Sequence, residues 1–438
     1  MEFSVERGGE RAPFSMVRNR VVVSAVALLF LIIFVEPTIH IVSTFVALAA
    51  ISGTLASILF GLTFWNKARV RIGRLKFRYR QVRRSAGAIA VGGFALFLAQ
   101  RISLAVWHIN PTPHVTTTRF AADRLKILAD LRARRFDALD QELRSYQEQA
   151  EQKVAMEDNA VFAFGAFSNT DPELDSLFDE WQKKLPASYI PHLAKAEYLF
   201  ALGSKARGVK WANETSKQQS ARMNDYYGKA VKELKVVVSR NKRIAAAYVL
   251  LIGAARASEG PEFIREITSA GLEEIPASFA IRRAFMTTLE PRWGGSYDAM
   301  DQFAHDSAAM IKENPEIAVL KGFADYNKAD VLTWSDDYAG AVPLYTRAIA
   351  EGGDLDSFYR NRGKALQRLG RTADALLDLE RADQLEPQNA DTLVETAYAL
   401  FFLGRTKQAR DKLDIADQLA QPDDRALHLR DQLAHDGD

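Results

Sequence analysis

Three long apolar runs open the chain, Val21 to Val35, Ile41 to Trp65 and Ser85 to Trp107. With their flanks they predict membrane-spanning helices at about 18–36, 41–65 and 85–107, lengths that match the hydrocarbon core of a bilayer. Between the second and third lies Lys67 to Arg84, with nine Lys or Arg residues and no acid. A short loop this basic (66–84) is held on the cytoplasmic side, so both flanking spans lead away from the cytoplasm. The N-terminus is therefore expected inside and everything after the third span outside. Glu36-Pro37 is followed by a second apolar run rather than by a small-residue cleavage site, so the first run reads as an uncleaved anchor. Residues 1–109 then form a membrane domain of three transmembrane helices.

Beyond it the pattern changes. Residues 110–118, rich in Pro and Thr, form a tether without helical periodicity. From Arg119 apolar residues recur at helical spacing: Leu125, Ile127, Leu128 and Leu131, a turn at Arg134 to Phe136, then Leu139, Leu143 and Tyr146. Two antiparallel helices joined by a short turn are the unit of an α-solenoid. After a polar break near Asp158, Asn169-Thr170-Asp171-Pro172-Glu173 marks a helix start. Further helices are predicted from Ile190 to Leu202, across the second half of the polar insertion Gly203 to Met223, through Tyr226 to Val238, Ile244 to Ala255 and Pro261 to Ala270. No stretch reads as a strand, and the fold class is all-α.

Near the C-terminus the small and large apolar positions repeat every 34 residues: Ala341, Ala375 and Ala409; Ala348, Ala382 and Ala416; Tyr345, Leu379 and Leu413. Gly370 and Gly404 share that spacing. This is the period and pattern of a tetratricopeptide repeat, best formed from Asp356 to Asn389. The first unit departs from it, its helix Ile317 to Lys328 being separated from Ala341 by a longer segment holding Trp334. A last amphipathic helix, Arg425 to Ala434, caps the stack. The extramembrane part thus divides into a divergent helical-repeat domain, 119–310, and tetratricopeptide repeats with a capping helix, 311–438.

The stretch RRFDALDQELRSYQ (Arg134 to Gln147), then Trp181 with Pro186 and Ser188, then PRWGGS (Pro291 to Ser296) resemble recurring elements of a bacterial family known only as a domain of unknown function. The likeness covers roughly residues 120 to 310. It implies an all-helical fold and a bacterial origin, hence a periplasmic location in a cell with two membranes, and it transfers no activity. On the residues themselves, Gly294-Gly295 reads as a sharp inter-helix turn with Trp293 packed beneath it.

Charge narrows the function further. Of 57 basic and 55 acidic residues, 14 and 4 lie in residues 1–109, leaving 43 and 51 in the rest. So acidic an extramembrane part is a poor partner for nucleic acid, whose binding rests on neutralising phosphates. With no cysteine, disulfides, thiolate metal sites and a cysteine nucleophile are excluded. There is no glycine-rich phosphate loop, nucleophile elbow or paired-histidine helix motif. The acids Asp171, Glu173, Asp175 and Asp179 fail as a calcium loop, because Ser176 stands where glycine is needed and Gln182 where a bidentate Glu is needed. No catalytic, cofactor-binding or metal-binding residue is assigned. Within the membrane domain Gly53, Ser57 and Gly61 make one smooth helix face, suited to bundle packing or to homo-oligomerisation; the partners there are the lipid bilayer and a second copy.

The candidate partner-binding residues are in the last two repeats. Arg360, Lys364 and Arg368 are spaced four apart on the first helix of one unit, where like charges repel. Tyr398, Phe401 and Phe402 occupy neighbouring positions of the next. A row of cations beside aromatics suits an acidic peptide or a chain-terminal carboxylate, and reversing Arg360 and Lys364 to Glu is expected to abolish capture with the melting temperature unchanged. The sequence therefore reads as a membrane-anchored, extracytoplasmic scaffold that binds a protein or peptide partner. The alternative is an envelope enzyme or glycan-handling protein using the same groove.

Overall fold

A computed structural model describes residues 120–208, 214–258 and 260–435. The three spans, the basic loop, the tether, and the Gly53, Ser57 and Gly61 face lie outside the described residues. Among the described residues no helix is long and apolar enough to cross a membrane, and every regular element is helical.

Seventeen α-helices occur among the described residues, in chain order. They are α1 (Arg124–Arg132), α2 (Phe136–Gln152), α3 (Glu157–Phe164), α4 (Leu174–Lys184), α5 (Ile190–Arg207), α6 (Lys217–Arg240), α7 (Ala245–Ser258), α8 (Pro261–Glu274), α9 (Phe279–Thr288), α10 (Tyr297–Ser307), α11 (Phe323–Trp334), α12 (Tyr338–Gly352), α13 (Asp356–Arg368), α14 (Thr372–Leu385), α15 (Ala390–Phe402), α16 (Thr406–Leu419) and α17 (Asp424–His435). The pairs α11–α12, α13–α14 and α15–α16 are the three repeats, and α17 packs on the last as a cap.

All nine residues of the three 34-residue columns are at most 2% exposed. Alanine at the crossing of each pair lets two helices meet closely, and Tyr345, Leu379 and Leu413 fill the space beside them. Each first helix ends in the same left-handed turn. Gly370 and Gly404 have φ of 74° and 72°, and the following N–H reaches back to close it, Arg371 to Leu366 and Arg405 to Leu400, both at 2.9 Å. Asp336 (φ 61°) and Arg134 (φ 57°) hold the same conformation, with Asp337 N–H on Leu332 O and Arg135 N–H on Asp130 O, again at 2.9 Å.

The first repeat is thus more regular than its sequence indicates. Its first helix is Phe323–Trp334, not Ile317 to Lys328; Pro315–Gly322 is a separate 3-10 segment. Trp334 ends the helix, and Asp336 stands one period before Gly370. An aspartate in the glycine position had hidden the third turn.

Upstream, α1 to α7 contribute to one core in which Trp181, Phe167, Phe178, Leu131 and Leu139 are fully buried. The segment of α3 crosses between this core and the middle of the solenoid. Glu157, its first residue, accepts from the Ser278 hydroxyl (2.6 Å), the amides of Phe279 and Ala280 at the start of α9, and Asn314 (3.3 Å). A carboxylate at a helix N-terminus is favourable there, but burial and then Asp158 push this carboxyl up to about 7.

The solenoid also closes on itself, α1 packing against α16. The Gln388 side-chain carbonyl accepts from the Arg124 amide (2.7 Å) and its amide nitrogen donates to Asp123 (2.9 Å), while Arg124 donates to Glu386 at 3.2 Å. Leu125 packs against the apolar core of the last two repeats, and the Asn169 amide donates to Leu419 O at 3.0 Å.

Candidate partner-binding site

The first helices of the repeats bring residues of one register into rows. Tyr326, Arg360 and Val394 form one, Asp330, Lys364 and Tyr398 a second, and Trp334, Arg368 and Phe402 a third.

Arg360 and Lys364 do not stand as free cations. Arg360 pairs with Asp356 at 2.9 Å and with Asp391 at 3.4 Å, and Lys364 with Glu395 at 3.3 Å. From α17, Arg425 reaches Asp391 (2.7 Å) and also Glu395. Asp356 relieves Arg360 from α13 itself, one turn upstream, and α15 supplies the acids for the rest of the row. Burial works to raise the Asp391 carboxyl, but Lys364, Arg360 and Arg425 outweigh it and hold it below the usual range. On Arg360 burial works downward, and Asp356 and Asp391 more than cancel it.

A second polar layer lies beside this one. Asn361 donates to the Tyr326 hydroxyl (2.8 Å) and to Asp330 (2.9 Å), and Tyr345 donates to the same Asp330 carboxylate at 2.6 Å. Burial raises Asp330. Deeper still, Asp356 and Glu386 act on each other, Asp356 pairing with Arg360 at 2.9 Å and Glu386 with Arg124 at 3.2 Å. Burial and the Glu386 charge push Asp356 up to about 6. With Arg360 on one carboxyl and Arg124 on the other, the two acids are engaged in ion pairs rather than offering a free acid and base.

The other four candidates face outward or lie at the rim. Arg368 is exposed and carries no ion pair among the described residues; its charge acts on the hydroxyls of Tyr338 and Tyr398, which flank it. Phe402 is 62% exposed, with Tyr398 6.4 Å and Phe401 5.6 Å away between ring centres. Tyr398 is fixed by donating to Arg425 O at 2.8 Å, and it and Phe401 rest partly on the core of the last repeats. Trp334, 40% exposed, completes the row; the sequence reading did not single it out as a binding residue, although it lies one period before Arg368.

The PRWGGS corner differs from its expected packing. Gly294 is left-handed (φ 88°), and a Cβ on Gly295 would lie 2.0 Å from the Leu289 carbonyl oxygen, so the sharp turn is present. Trp293, however, is 38% exposed rather than packed beneath. Arg256 lies 5.0 Å from its ring centre and Arg292 5.5 Å, and Arg292 also lies 4.7 Å over Trp334. The buried Glu290 carboxylate accepts from Arg292 at 2.5 Å, which turns that guanidinium toward the two indoles.

Among the described residues no group of three or more His, Asp or Glu is placed to hold a metal ion. Asp171 pairs with Arg132 at 3.2 Å, and Asp179 with Lys195.

Comparison with known proteins adds the following. No curated protein matches the chain in sequence. Among solved structures, the chain is similar to YrrB, described as a TPR protein with an unusual peptide-binding site (17% identity, 45% of this chain and 97% of that one, TM-score 0.24). It is also similar to the TPR2AB-domain:pHSP90 complex of yeast Sti1 (14%, 68% and 98%, TM-score 0.24) and to the APC/C hetero-tetramer Cut9-Hcn1 (12%, 73% and 57%, TM-score 0.30). TM-scores this low carry no argument about shape, and the helix-pair fold rests on the chain's own periodicity and packing. Residues 124–274, from α1 to the end of α8, match the family described as a domain of unknown function, DUF4034.

Proposed function

We propose that this protein is an interaction scaffold whose repeats capture a peptide segment of a partner along the row Trp334, Arg368 and Phe402, with Tyr398 and Phe401 at its end. The observation that carries this reading is the contrast within one helix. Arg360 and Lys364 are consumed by Asp356, Asp391 and Glu395, whereas Arg368 is exposed, has no ion pair among the described residues and is flanked in register by two exposed aromatics. A cation between aromatic faces suits a segment that alternates acidic and apolar groups. Arg360 and Lys364 set the geometry of that surface from behind.

In this proposal residues 1–109 anchor the chain in a bacterial cytoplasmic membrane with the repeats on the outer side, supported by the basic loop Lys67 to Arg84. The role is then to hold an envelope component at the membrane. The test is crosslinking in cells followed by detergent extraction of the full chain, comparing the parent with Arg368→Glu combined with Phe402→Ala. A partner captured by the parent and lost by the variant supports the reading; equal capture by both removes this row as the site. Polymer binding without a protein partner favours the glycan-handling alternative.

A further inference from the structure

The first helix reads the last repeats through a small and specific set of contacts. The Arg124 amide is one of the N–H groups that an α-helix leaves unsatisfied at its start. The N-cap Asp123 takes care of Leu125 and Lys126, and the Arg124 amide is satisfied from another part of the chain by Gln388. Gln388 uses both ends of its side-chain amide, one on Arg124 and one on Asp123. Its backbone is held at φ 55°, a conformation that a side chain with a Cβ disfavours.

This seam differs from every other junction of the solenoid. Successive repeats are joined by buried apolar columns. Across the seam the upstream core and the core of the last repeats stay separate, and among the described residues Leu125 is the α1 side chain packed against the latter. What holds it is polar: Asp123, Arg124 and Asn169 on one side, Glu386, Gln388 and the Leu419 carbonyl on the other. Water replaces hydrogen bonds of this kind at little net loss, and small polar contacts between parts of one chain are the ones that come apart. The left-handed backbone of Gln388 belongs to the α14–α15 turn and presents its side chain at the contact.

We infer that Asp123 and Arg124 on Glu386 and Gln388 form a detachable clasp, and that the repeats exchange between a closed arrangement and one in which α1 has left the last repeat. Opening leaves the α14–α15 turn, with the Glu386 carboxylate and the Gln388 amide, without its occupant, and lets the two ends of the solenoid part around a bulky partner. The inference builds on the scaffold reading for its use, but its test needs no partner.

The chain has no cysteine, so two engineered ones report alone. Spin labels on Lys126→Cys and Gln418→Cys, exposed positions on the two sides of the seam, should give a predominantly short distance in the parent, measured on the full chain in detergent. In Gln388→Gly combined with Glu386→Ala, which keeps the left-handed turn accessible but deletes the clasp, a longer distance should become the major population. Helical content and a cooperative melt should be retained. An unchanged single distance in the variant overturns the clasp. So does collapse of the variant into a non-cooperative state, because closure would then be part of the fold. Gln388→Gly alone, the milder variant, should give an intermediate open fraction, and failure to rank between the two overturns it as well. Capture through Arg368 and Phe402 can fail or succeed independently of these distances.

Discussion

Glu395 on α15 is shared by Lys364 on α13, at 3.3 Å, and by Arg425 on α17, so a single carboxylate ties the first helices of two repeats to the capping helix. Reversing Arg360 and Lys364 to Glu therefore does not leave the fold untouched, as the sequence alone leads one to expect. It sets two new acids against Asp356, Asp391 and Glu395. Breaking partly buried pairs in this way is expected to cost about 3 kcal/mol or more, read as a melting temperature several degrees below the parent; an unchanged melt would show that the network is dispensable.

Arg368→Glu and Phe402→Ala should behave in the opposite manner. Both side chains are exposed, so each substitution is expected to change stability by no more than about 0.5 kcal/mol. Partner recovery, measured by quantitative crosslinking, should fall about tenfold or more, as befits loss of an aromatic or arginine anchor. A stability loss as large as that of the Arg360 and Lys364 reversal would mean that the row is structural.

Two buried carboxyls make stability depend on pH in a defined direction. Glu157 is raised from 4.5 to about 7 and Asp356 from 3.8 to about 6, burial being the main cause for both. Each is ionised in the unfolded chain before it is ionised in the folded one. Their contribution therefore declines as pH rises from the unfolded value to the folded value, and is flat above about 7. Asp391, which is lowered, works the other way, its contribution being lost only as pH falls below the ordinary carboxylate range. Melting temperatures should fall from pH 5 through 6 to 7 and level off between 7 and 8, and Glu157→Gln should flatten the part between 5 and 7. A slope unchanged by that substitution would remove Glu157 as its source.

The orientation proposed for the membrane domain has its own check. Alkaline phosphatase fused after His114 should be active in a bacterial host, and fused within Lys67 to Arg84 it should be inactive. The reverse pattern would place the repeats in the cytoplasm.

The repeat architecture was legible because its determinants are periodic: alanine and large apolar columns at one spacing, two of its turns marked by glycine. The first unit was misread where one residue broke the rule, Asp336 taking a left-handed turn that is ordinarily given to glycine. Trp334 stands one period before Arg368, but with no glycine after it the register around it is not marked in the sequence. The charge relief of Arg360 and Lys364 was harder to see. Asp356, four residues before Arg360, is legible in the sequence, but Asp391 and Glu395 lie on the next unit, roughly one turn short of a full period, a coincidence only packed helices produce. The seam could not be read at all, since Arg124 and Gln388 are separated by 264 residues and nothing local in either marks it.

Closure has a consequence for how this architecture can vary. An open stack of helix pairs tolerates an added or deleted unit, because each pair meets only its neighbours. Here an extra 34-residue unit between α12 and α13 would carry the α14–α15 turn away from α1 and strand Asp123 and Arg124 without their acceptors. Copy number is then a fixed quantity for this chain, set by the circumference rather than by the stability of any repeat.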